Sequence, residues 1–171
     1  FASDGTGLTQ QWLLPISAPD LVRGKAIGGG VLFVLAMLVS CVAVGLAIGA
    51  GTLLAWVMMA AGGLAIYITI TPAAALLSAW LPVQADLSKP GSGGNPHTAS
   101  ALLGMLLVLV AAVPVAIIAM PGLLPVPAPA GSLMVMLVWL AVVTAIAWPL
   151  LGVAARAVTA RRENLFLTIA K

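Results

Sequence analysis

The sequence predicts an all-α membrane protein, with four transmembrane helices and a short interfacial amphipathic helix at the N-terminus. Three observations predict it. Of the 171 residues, 63% are apolar and only 6% are charged, against roughly 45–50% and about 25% in soluble domains, and the mean hydropathy is +1.21. The apolar residues gather into four runs, each long enough to cross about 30 Å of hydrocarbon, which takes roughly 20 helical residues. Every charged side chain lies between or beyond those runs. Backbone polar groups in lipid must be satisfied within their own segment, so the runs are read as helices. A transmembrane barrel needs alternating polarity, which they lack.

The chain opens on FASDGTGLTQQWLLPISAPDLVRGK, residues 1–25, a turn-rich and semi-polar segment. Gly5 and Gly7 favour a turn, and Leu8, Trp12 and Gln11 fall on one side of a helix of about two turns. Trp12 suits the headgroup interface, where its ring is buried and its N–H stays wet. Pro15 ends this helix. Ser17-Ala18-Pro19-Asp20 caps the next helical turn, whose Arg23 and Lys25 sit at the level of the lipid phosphates. The spans follow at about 26–50, 52–81, 100–120 and 132–155. The second is long enough to tilt or to contain a break. A loop, 82–99, separates the second and third spans, and a tail, 156–171, closes the chain. Leu165, Phe166 and Ile169 in that tail follow a basic pair at helical spacing, the pattern of a short anchor on the membrane surface.

The connections differ in charge. Residues 49–52 and 121–131 carry none, whereas all seven Lys and Arg lie in the head, the 82–99 loop and the tail. If the four helices alternate in direction, all seven fall on one side, and the positive-inside rule puts both ends and the central loop in the cytoplasm. The net charge of +3 has no basic cluster behind it, so these cations orient the chain and nucleic acid is not an expected partner; the lipid bilayer is.

Small residues and prolines punctuate the spans. Gly28-Gly29-Gly30, Gly62-Gly63 and Gly104 lie within them, and Gly45 with Gly49 makes a GxxxG that allows two backbones to approach closely. Pro72, Pro114 and Pro149 each delete a backbone hydrogen bond and tend to kink the helix. Tyr67, Thr69 and Thr71, just ahead of Pro72, form the most polar stretch inside any span. Two readings of those hydroxyls stay open: they satisfy freed carbonyls, or they line a polar seam facing a substrate path or a partner subunit.

Much chemistry is absent. No ionisable side chain lies mid-span, where proton-coupled carriers and ion pumps keep theirs. His97 has no carboxylate at triad or metal spacing, and Cys41, the single cysteine, has no partner for an intrachain disulfide and is expected to pack. Neither GSGGNPH (91–97) nor GKAIGGG (24–30) has the order of a P-loop. The chain is therefore expected to be no enzyme, to bind no metal or cofactor, and to leave any ATP hydrolysis to another polypeptide.

The opening stretch resembles the cytoplasmic segment of ABC-2-type transporter permeases, on Phe1, Asp4, Gly5, Gly7, Leu8, Leu13, Pro15, Ile16, Ser17, Leu21, Gly24 and Lys25. The loop LPVQADLSKPGSGGNPH is similar to one in a bacterial branch of that family, on Pro82, Asp86, Leu87, Ser88, Gly91, Gly93, Gly94, Asn95 and His97. The resemblance implies the C-terminal part of a bacterial exporter permease, with four helices after a coupling segment and an N-terminal portion outside this chain. It implies that Asp4, Gly5, Leu8, Trp12, Leu13 and Pro15 meet a separate nucleotide-binding subunit that holds ATP and Mg. It also implies a second permease half, or a second copy of the chain, in the bacterial plasma membrane. The alternative is a non-transporting membrane scaffold or interaction subunit.

Overall fold

The computed structural model describes residues 17–49, 51–80, 98–120 and 130–160. They form four helices: α1 (Ala18–Ile48), α2 (Leu53–Trp80), α3 (Thr98–Ala119) and α4 (Ala130–Ala160), with no strand among the described residues. All four are long and apolar enough to cross a membrane. The four-span all-α architecture expected from the sequence is the one observed.

The ends of α1 follow from local chemistry. Ser17 is extended, and its hydroxyl oxygen accepts the Asp20 N–H at 3.3 Å, which satisfies one of the donors that a helix start leaves open. Asp20 in the first turn complements the helix dipole. The helix so begun runs unbroken through Lys25 for 31 residues, so residues 18–25 are its first two turns. It ends at Gly49, whose φ of 95° suits a residue without a Cβ and whose N–H donates to the Gly45 carbonyl at 3.1 Å. Three residues on, the Thr52 hydroxyl oxygen accepts the Ala55 N–H at 3.3 Å and opens α2.

At the other terminus of the bundle α4 outruns its expected limit. The apolar run stops at the charge on Arg156, but the hydrogen-bonded helix continues to Ala160. Arg156 rides on it, with its Nε donating to the Gly152 carbonyl at 3.4 Å. Pro72, Pro114 and Pro149 all lie inside their helices rather than ending them.

The α2–α4 contact is the most extensive in the molecule, and α1 and α3 pack onto that central pair. Two buried clusters mark its ends. Val22 of α1, Ala79 of α2 and Ala154, Ala155 and Val158 of α4 make one. Ala61 of α2, Ile118 of α3 and Met136 of α4 make the other. The start of α1 therefore lies beside the finish of α2 and α4, and the finish of α3 beside the start of α2 and α4. The helices alternate in direction, and Arg23, Lys25 and Arg156 share one end of the bundle.

Glycines let these helices approach, but not where the GxxxG suggested. Gly49 is the cap of α1, and Gly45 faces the Trp56 ring, 3.5 Å from where a Cβ would stand. On α2 the close approaches, made by side chains of neighbouring helices, are at Gly62 and Gly63. A Cβ on Gly62 would come within 2.8 Å of Val115 Cγ1 in α3, and one on Gly63 within 3.3 Å of Met37 Sδ in α1. Consecutive residues are about 100° apart around a helix, so adjacent glycines of α2 receive different neighbours.

The outward faces are apolar. Leu32, Val39 and Leu46 of α1, Leu102 and Val110 of α3, and Met134 and Val138 of α4 are exposed, as side chains facing lipid are expected to be.

Candidate functional site

Polar side chains in the span region converge around Tyr67. Its ring leaves α2 toward the glycine run of α1 and stacks on Phe33, with centroids 5.0 Å apart and planes at 24°. Its hydroxyl donates to the Ala26 carbonyl at 2.7 Å. A Cβ on Gly29 would stand 2.8 Å from that hydroxyl, and one on Gly30 3.4 Å from the ring. Gly29 and Gly30 are thus the seat on which Tyr67 fastens α2 to α1.

Thr71 lies four residues on and shares that face; Thr69, two residues from each, points the other way. The Thr69 hydroxyl donates to the Ala65 carbonyl and that of Thr71 to the Tyr67 carbonyl, both at 2.7 Å. Pro72 has no N–H to offer the Ile68 carbonyl, yet neither threonine turns to that oxygen. The three hydroxyls all donate to backbone carbonyls, and only Tyr67 and Thr71 adjoin the same interior space. The spacing held this distinction, since residues two apart on a helix do not face each other.

The Tyr67–Ala26 contact stands between two crevices, each of about 540 Å³ and both bordered by Ala26, Tyr67, Thr71 and Leu151. One reaches Lys25, Phe33, Ser78 and Val108. The other reaches Arg23, Val34, Leu64, Thr144 and Trp148. Arg23 and Lys25 are two residues apart, about 200° around the axis of α1, so each crevice receives one cation. The Arg23 guanidinium carbon lies 4.9 Å from the centre of the Trp148 ring, within the range of a cation–π attraction. Nothing local in the sequence announced that contact, because its two residues belong to the first and last helices.

At the far end of the bundle the Trp139 indole N–H is buried and has no partner among the described residues. Cys41 is half-buried, a free thiol on α1. The described residues contain no group of three metal-ligating side chains. The coupling residues Asp4, Gly5, Leu8, Trp12, Leu13 and Pro15 lie outside the described residues, as do Asp86, Ser88, Gly94, Asn95 and His97 and the tail residues Leu165, Phe166 and Ile169.

Four apolar, membrane-length helices in alternating directions make this a multi-pass membrane protein. No family model, curated protein or solved structure matches the chain.

Proposed function

We propose that the chain is the membrane-spanning permease part of an ATP-driven exporter of the ABC-2 type, coupled through its first residues to a separate nucleotide-binding subunit. The observation that carries this reading is the continuity of α1. The stretch that resembles a coupling segment leads into the Ser17 cap, and from there one unbroken helix of 31 residues enters the bundle. A displacement applied to residues 1–16 by a closing ATPase would reach the spans as a rigid-body movement. The three described cations at one end of the bundle support a cytoplasmic position for that end in a bacterial plasma membrane. ATP and Mg belong to the partner. The translocation path forms between this chain and a second permease half or a second copy.

Crosslinking tests this directly. With Cys41 replaced by Ser, single cysteines at Leu8 and Trp12 are expected to crosslink to a co-expressed P-loop ATPase subunit, whereas one at Gly51 is not. Efficient crosslinks from other positions with none from Leu8 or Trp12 would remove the coupling assignment and leave the non-transporting scaffold.

A further inference from the structure

The crevice between α1, α2 and α4 combines a cation at one end with hydrocarbon along its length. Arg23 stands at its charged end, and Val31, Val34, Leu35, Leu64 and Ile68 line it. Its hydroxyls have no proton left to offer an anion: Tyr67 donates to Ala26, Thr71 to Tyr67 and Thr144 to Leu140, each at 2.7 Å. The guanidinium differs. It carries five N–H donors, and among the described residues it has neither a carboxylate partner nor a hydrogen-bond acceptor, only the face of Trp148.

We propose that this crevice binds an anionic phospholipid from the leaflet at the cationic end of the bundle. The phosphate lies against Arg23 and one acyl chain lies along the apolar wall. Charge complementarity selects this occupant: the phosphate takes two parallel N–H donors from the guanidinium, and an anionic headgroup brings no ammonium to oppose the Arg23 charge. The dimensions agree. The α1 wall from Arg23 to Leu35 rises about 18 Å, close to the depth of one leaflet, roughly half of a 30 Å hydrocarbon core. A basic pocket between spans on the cytoplasmic side is a recurrent headgroup site. The site stands whether or not the chain belongs to a transporter.

The test uses the full chain in detergent, with lipid retention read by native mass spectrometry. Phosphatidylglycerol is compared with phosphatidylcholine of the same acyl chains. The unaltered protein is expected to prefer phosphatidylglycerol by about tenfold, the scale of one charge-assisted contact. Arg23→Gln removes that preference, Arg23→Lys keeps part of it, and Arg156→Gln, which alters a cation outside the crevice, leaves it intact. Val34→Trp fills the apolar wall and lowers phosphatidylglycerol retention with Arg23 still present. If that variant fails to fold, the Arg23 pair decides alone, once circular dichroism shows unchanged helicity. Equal retention of the two lipids by the unaltered protein overturns the proposal, as does equal loss from Arg23→Gln and Arg156→Gln. Competition by free glycerol phosphate as strong as by the lipid also overturns it, because the acyl crevice would then contribute nothing.

Discussion

The two ends of the bundle are packed from different materials. At the charged end α1, α2 and α4 meet through Val22, Ala79, Ala154, Ala155 and Val158, side chains small enough for backbones to come close. At the uncharged end the space between Ala61 and Ile118 is filled by Met136, only 1% exposed, with Trp139 packed alongside. The polar contacts between helices differ as well. Arg23 on Trp148 and Tyr67 on Ala26 join helices in the charged half, while the far half holds an indole N–H without a described partner; each end has one hydroxyl cap, Ser17 and Thr52. The difference teaches that one half is organised for a polar environment and for shape between backbones. The other depends on the volume of a single flexible side chain.

That contrast can be broken most severely at Met136. Truncation to Ala leaves a cavity among Ala61, Ile118 and Val115 that the surrounding helices close only in part. Met136→Ala should lower stability by about 2–5 kcal/mol, measured by denaturant titration in detergent micelles. A loss below about 1 kcal/mol would mean that this end does not depend on Met136 volume.

A smaller effect is expected at Tyr67. Tyr67→Phe keeps the ring on Phe33 and removes only the hydrogen bond to Ala26, a contact worth about 0.6–1 kcal/mol between membrane helices. The same titration should show that modest loss, and spin labels on α1 and α2 should report a broader distance distribution. No change in either would show that the hydroxyl does not fasten the two helices.

Much of this was legible before the structure. Ser17 heads a capping sequence ahead of the first apolar run, and the charge-free connections at 49–52 and 121–131 divide the chain into four spans. Less legible were the inward faces. A helix that is apolar all round carries no stripe marking its buried side, so the pattern could not show that Gly62 and Gly63 are where side chains of α3 and α1 press onto α2. Nor does hydropathy set helix ends: the apolar run stops at Arg156, but backbone hydrogen bonding carries α4 to Ala160. The Arg23–Trp148 contact depends on the first and last helices lying side by side, which only the fold supplies.

The most direct test of the account asks which side of the membrane each end of the bundle faces. With Cys41 replaced by Ser, single cysteines at Ser17 and Ala160 mark the charged end, and at Gly51 and Ala130 the uncharged one; all four positions are exposed. A membrane-impermeant maleimide applied to intact cells should label 51 and 130, and should reach 17 and 160 only after permeabilisation. Labelling of 17 and 160 in intact cells, with 51 and 130 protected, would put the charged end outside, beyond the reach of any cytoplasmic ATPase.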